Sequence, residues 1–144
     1  MTHLEPFTLN SFTPYLLNIA AEHTSLAFQP AYKERYGMLR TEWRVLFHLG
    51  QRGEMTAKQI CTEARIHKTK VSRAVAALQA KRFLTRQTQE TDRRLEILSL
   101  TAQGRAAFDD LCRVAQAFDD RLMARIPEAD RAVLKRCLAQ LADL

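Results

Sequence analysis

Apolar residues recur at helical spacing along most of the chain. Tyr15, Ile19, His23, Leu26 and Ala27 follow one another at such intervals and predict a first helix. Thr13-Pro14 supplies an N-cap and a proline at the first helical position. Pro30 is expected to bend or interrupt this helix near its end, and Gly37 to terminate it. Residues 42–49 carry Trp43, Val45, Leu46, Phe47 and Leu49 and predict a short apolar helix closed by Gly50. Thr56-Ala57-Lys58-Gln59 has the T-x-x-Q pattern of a capping box, so a third helix starts there and buries Ile60, Cys61 and Ala64. After a short turn at Arg65-Ile66-His67, residues 68–81 form the next helix. Two short helices joined so tightly predict a helix-turn-helix.

Period changes after that. Residues 83–88 and 95–100 alternate Thr, Ile and Leu with polar positions, and a charged stretch at 89–94 separates them, which predicts a β-hairpin with a long tip. Thr101 then caps a long helix bearing Phe108, Leu111, Ala115, Phe118, Leu122 and Ile126, and Pro127 breaks it. A last helix carries Val133, Leu134, Cys137, Leu138, Leu141 and Leu144. The expected fold is mainly α with a small β-hairpin wing. A winged helix-turn-helix over about 41–100 lies between helical flanks at about 12–36 and 101–144, all within one domain.

Composition adds little to this, but charge adds much. The chain has 144 residues, 47% hydrophobic and 26% charged, with only 4 Gly and 4 Pro, as expected of an ordinary helical domain. The formal net charge is +6, yet residues 58–94 alone hold 10 basic and 3 acidic residues. The whole basic excess sits in that segment. A local field of this kind attracts polyanions, nucleic acid foremost. Three cysteines with no C-x-x-C, no basic-then-apolar leader and no long apolar run fit a reducing cytoplasm. A membrane-surface helix fits poorly, because the apolar face of residues 68–81 is narrow and lacks large residues.

On a helical wheel, Val71, Val75 and Leu78 share one face of the 68–81 helix, while Thr69, Arg73, Ala76 and Ala80 fall opposite with Lys70 and Ala77 on their flank. A helix that enters the major groove needs such a face. A forked Arg73 can read guanine, and Thr or Lys can reach bases or phosphates. The alternative for such a stripe is simply a solvated face. The hairpin tip Asp92-Arg93-Arg94 tips the balance, since a guanidinium on a wing can enter a narrow A·T-rich minor groove. Asp92 is two residues from Arg94 and can orient it.

These residues resemble a known family. Thr56-Ala57-Lys58-Gln59-Ile60, Lys68-Thr69-Lys70-Val71-Ser72-Arg73-Ala74-Val75, and Asp92-Arg93-Arg94 followed by Leu98-Ser99-Leu100-Thr101-Ala102-Gln103-Gly104 look like the MarR family of bacterial regulators. Glu42-Trp43-Arg44-Val45-Leu46 is similar to the helix before its helix-turn-helix. The resemblance implies a homodimer built from the N- and C-terminal helices, bound to a pseudo-palindromic DNA site, repressing transcription and often released by small aromatic or phenolic ligands. By position it implies that Thr69, Lys70, Ser72 and Arg73 lie on the recognition helix and that Arg94 is the wing arginine; Lys68 and Arg93, beside them, complete the candidate DNA contacts. Arg82 stands where relatives often have Gly.

The family's ligand pocket lies between the dimer helices and the DNA-binding lobe, so Tyr15, Ile19, His23, Trp43 and Phe47 are candidate lining residues; each is equally readable as packing. No cofactor is expected. Cys61 reads as core, and Cys112 and Cys137 lie on the flanking helices. His3, His23, His48 and His67 make no metal-ligand spacing. No phosphate-binding, dinucleotide, zinc-protease or nucleophile-elbow motif is present, so an enzyme is not expected. The remaining alternatives are a winged helix that binds protein partners, or a DNA-binding protein that answers to no ligand.

Overall fold

The computed structural model describes residues 5–144. Six helices and one antiparallel hairpin follow a short helical turn at Leu9–Ser11: α1 (Thr13–Tyr36), α2 (Arg40–Arg52), α3 (Ala57–Ala64), α4 (Lys68–Ala80), β1 (Leu84–Thr88), β2 (Glu96–Leu100), α5 (Ala102–Met123) and α6 (Glu128–Leu141). The hairpin pairs Leu84 with Leu100 and Thr88 with Glu96. A single bridge from Met55 to Leu98 adds a third short rung on the other side of β2. This is the arrangement of a winged helix-turn-helix.

Local signals explain most of the boundaries. Thr56 Oγ1 accepts from the Gln59 N–H at 3.2 Å, while Gln59 Oε1 accepts from the Thr56 N–H at 2.8 Å, closing the expected capping box. Thr101 Oγ1 accepts from the Gly104 N–H at 2.9 Å and starts α5. Gly37 ends α1 with φ 64°. Two other helix exits use the same left-handed conformation without glycine: Arg65 at φ 55° after α3 and Arg82 at φ 64° after α4. The backbone at Arg82 is therefore one in which glycine is the cheaper residue.

Several boundaries differ from expectation. Thr13 is the first residue of α1, not its cap; Phe12 takes the cap position and no side chain caps the helix. Pro30 does not break α1, which runs through it for 24 residues. Phe28 and Tyr32 flank the proline and pack on the core, so tertiary contacts on both sides hold the helix across the missing bond. Helix α2 is longer than 42–49 and carries Gly50 inside it. Gly50 serves packing, since a Cβ there would land on the Phe108 ring, and Gly53 ends the helix instead. Helix α5 stops at Met123, so Ile126 lies in the turn that precedes Pro127.

The core lies in the lobe. Val45, Leu46 and Leu49 of α2, Ile60 of α3, Val71 and Leu78 of α4, Leu98 of β2 and Leu111 of α5 are fully buried together. Glu42 is the one buried charged residue among those described. Its carboxylate accepts from the Leu39 N–H at 3.1 Å and from Lys81 Nζ at 3.1 Å, which ties the start of α2 to the end of α4. Helix α1 is fastened to α5 through Asp110, which accepts from Arg35 and from the Tyr36 hydroxyl. Those hydrogen bonds, Tyr36 first, hold the Asp110 carboxyl below its usual range. Helix α6 buries none of its residues.

Candidate nucleic-acid interface

Helix α4 is presented by its neighbours. His67 caps it, with Nδ1 accepting from the Thr69 N–H at 3.2 Å, which satisfies one of the free donors of the first turn. Val71, Ala74, Val75 and Leu78 face the core. Lys68, Thr69, Lys70, Ser72 and Arg73 are all exposed, as are Ala76 and Ala80. Among the described residues, no carboxylate lies within salt-bridge distance of Lys68, Lys70, Arg73 or Arg93. Their charge is uncompensated and adds to the positive end of the helix dipole.

The hairpin tip is ordered by its own polar groups. Gln89 N–H donates to the Leu95 carbonyl and Leu95 N–H to the Asp92 carbonyl, both at 3.0 Å. Asp92 Oδ1 accepts twice from Arg94, from the backbone N–H at 3.0 Å and from Nε at 3.2 Å. The Arg94 side chain is still 91% exposed. One carboxylate oxygen thus fixes the base of a guanidinium whose remaining N–H groups point into solvent. Farther down, Arg86 pairs with Glu96 across the hairpin at 3.3 Å, so that cation is partly neutralised.

A second feature lies away from α4. A groove of about 500 Å³ runs between α1, α2 and α5, lined by Thr24, Ser25, Phe28, Tyr32, Arg40, Trp43, Arg44, Ala115, Phe118, Asp119 and Leu122. Its apolar wall is a set of touching rings. Tyr32 stacks on Trp43 at 5.5 Å between centroids, and Phe28 meets Trp43 at 5.5 Å and Phe118 at 5.1 Å. The Tyr32 hydroxyl and Trp43 Nε1 are buried without a hydrogen-bond partner, a costly condition that a polar ligand atom would relieve. The polar side carries Arg40 and Arg44, one turn apart on α2. Burial, and then the nearby Arg40 charge, push the Arg44 guanidinium below its ordinary pKa. Asp119 also borders the groove but is engaged by Lys135 at 2.6 Å.

Of the five lining residues expected from sequence, only Trp43 borders this groove. Tyr15 and Ile19 sit too early on α1: at 1.5 Å per residue, Tyr15 is about 20 Å along the axis from Phe28. His23 is exposed, and five residues before Phe28 it points to a different side of the helix. Phe47 lies on the far side of Trp43, wedged between it and Phe108 at 5.2 and 5.1 Å. Sequence reasoning missed Phe28, Tyr32, Arg40 and Arg44. The available signal was Arg40-Trp43-Arg44, two cations and an aromatic on one helical face.

The cysteines divide by depth. Cys61 is half-buried against the core, Cys112 is half-buried and its thiol is pushed up by burial and by Asp109, and Cys137 is exposed. His3 lies outside the described residues. Among the described residues, no three His, Cys, Asp or Glu side chains gather as a metal site, and no helix is long and apolar enough to cross a membrane.

Residues 36–95, from the end of α1 to the hairpin tip, match the model of the MarR family. The HTH-type transcriptional regulator YwoH of Bacillus subtilis is 24% identical over 98 residues, 68% of this chain and 71% of its own length. The MarR family transcriptional regulator SPO1453 of Silicibacter pomeroyi is 27% identical, with a TM-score of 0.81 over 96% of this chain and 98% of that one. BpsR of Bordetella bronchiseptica, whose DNA binding is regulated by 6-hydroxynicotinic acid, has the same fold at 18% identity, with a TM-score of 0.85 over 97% of this chain and 99% of that one. The sequence match covers the helix-turn-helix with the first strand and tip of its hairpin, the structural likeness spans nearly the whole length, and over residues 36–95 the chain is similar to the MarR family.

Proposed function

We propose that the protein is a homodimeric repressor that reads a pseudo-palindromic operator in the cytoplasm, with α4 in the major groove and the hairpin tip in the flanking minor groove. The observation that carries this is the exposed, unpaired row of Lys68, Thr69, Lys70, Ser72 and Arg73 on a helix whose opposite face is fully packed. Arg73 is assigned a base edge, Thr69 and Ser72 bases or phosphates, and Lys68, Lys70 and Arg93 phosphates. Arg94, based on Asp92, is assigned the minor groove.

Dimerisation is supported by what the single chain leaves uncovered. Phe7, Leu9, Phe12, Leu16, Ile19 and Leu26 at the start of the chain and on α1, and Val133, Leu138, Leu141 and Leu144 at its end, are exposed. Two such apolar sets are more than a monomer usually presents, and a second copy of the chain covers them in a two-fold interface. The aromatic groove, with two cations and two unpartnered polar atoms, is the site assigned to a small aromatic effector. BpsR, with its hydroxylated aromatic acid, sets the precedent for an effector of that class.

Selection of bound duplexes from a random pool, followed by sedimentation of the complex, tests this reading. The expected outcome is an inverted repeat with half-sites about 10 bp apart, carried by two chains per duplex. Enrichment of a single unrepeated motif, or one chain per duplex, would overturn it.

A further inference from the structure

We propose that Arg44 is the relay between the groove and the DNA-reading helix: the guanidinium that borders the groove also holds the turn before α4, and an aromatic carboxylate in the groove draws it away. This rests on the groove being an effector site. Arg44 Nη2 donates to the Ala64 carbonyl at 2.7 Å. Ala64 is the last residue of α3, and its carbonyl is one of those left without a partner inside the helix. A cation there satisfies the carbonyl and the negative end of the helix dipole together. Arg65, left-handed, comes next, and α4 begins three residues later at Lys68.

The arrangement favours exchange. Arg44 is half-buried, and among the described residues no carboxylate pairs with it. A ligand carboxylate offers the guanidinium two charge-assisted hydrogen bonds in place of one to a neutral carbonyl. The aromatic rings beside it accept the ligand's ring, and Tyr32 Oη and Trp43 Nε1 are buried in that wall without a hydrogen-bond partner. The turn has a second tether on its opposite side: Arg65 donates to the Ala142 and Asp143 carbonyls at the end of α6, at 2.5 and 3.1 Å. Once Arg44 is withdrawn, the turn keeps its own backbone bond from Ile66 to Cys61, the packing of Ile66 and the tether to the C-terminal helix, and the start of α4 loses this side-chain link to the groove.

The chain has one tryptophan, Trp43, so its fluorescence reports occupancy of the groove directly. The probe is 4-hydroxybenzoate, with 4-hydroxybenzamide as its uncharged counterpart. In the wild-type protein the acid should shift Trp43 emission, lower affinity for the selected operator about tenfold, and speed amide exchange over residues 64–70 while leaving 84–100 unchanged. The amide should do markedly less. Arg44→Met should bind the operator about as weakly as the liganded wild type, with no further loss on adding acid. A responsive Trp43 with unaltered exchange at 64–70, or an Arg44→Met protein that binds operator tightly and is still released by the acid, would overturn the relay alone. A silent Trp43 in the wild type would overturn the effector reading, and the relay with it. The exchange measurement uses the wild-type protein and stands even if Arg44→Met fails to fold.

Discussion

Arg94 shows how a single side chain acquires a function from its neighbour. It stands almost wholly in solvent, yet Asp92 holds both its backbone N–H and its Nε. An exposed ion pair of this kind contributes about 0–1 kcal/mol to folding, so its value lies in orientation rather than stability. Arg94→Ala should weaken binding to operators with A·T-rich flanks more than to those with G·C-rich flanks, because groove width sets the potential that a minor-groove guanidinium responds to. Asp92→Ala removes a negative charge near DNA and so should tighten binding on electrostatics alone. Loss of orientation should outweigh that and weaken it. Anisotropy titrations with two flank compositions decide the matter, and tighter binding by Asp92→Ala together with flank-indifferent Arg94→Ala would reduce the tip to a charged loop. Arg82 illustrates the converse, a residue in a left-handed conformation whose charge belongs to the basic segment at some cost in backbone energy.

Elements were legible from sequence where their determinants are local. The capping box at Thr56, the cap at Thr101 and the stop at Gly37 need only a few neighbouring residues, and all three stand as expected. Pro30 and Gly50 were misread because distant residues settle their roles: Phe28 and Tyr32 pack α1 on the core across the proline, and Phe108 lies over the glycine. The outward face of α4 follows from its period of 3.6 and could be read in advance. The groove could not, because three helices far apart in sequence build it. Gly104 belongs to this class of long-range constraint. It sits in the first turn of α5, and a Cβ there would collide with the Phe83 backbone carbonyl, where Thr101 and Phe83 also join by a backbone hydrogen bond of 3.0 Å. Gly104→Ala gains about 1 kcal/mol in helix propensity, but the collision with backbone should cost about 3 kcal/mol and win. Thermal unfolding should show a clearly lowered midpoint; an unchanged or raised one would mean the hairpin and α5 can separate freely at that point.

Across the molecule, the division of labour follows the distribution of burial and charge. The lobe holds the shared core and the basic excess, whereas α6 buries nothing within its own chain and α1 leaves part of its length uncovered. At the turn between α3 and α4, Arg44 of α2 holds the Ala64 carbonyl and Arg65 of the turn itself reaches carbonyls at the end of α6, so the start of α4 is tied to both halves of the fold. On the proposed relay, control of DNA binding from a distance acts through these two hydrogen-bonded tethers. On the proposed function, α4 reads bases and is more than a source of charge. Arg73→Ala, titrated on the selected operator and on a random duplex of equal length at one salt concentration, tests this most directly. The expected result is a loss of about 1–3 kcal/mol on the operator, relaxed preference at one position per half-site, and little change on random DNA. Equal weakening on both duplexes would make Arg73 a phosphate contact and contradict the placement of α4 in the groove.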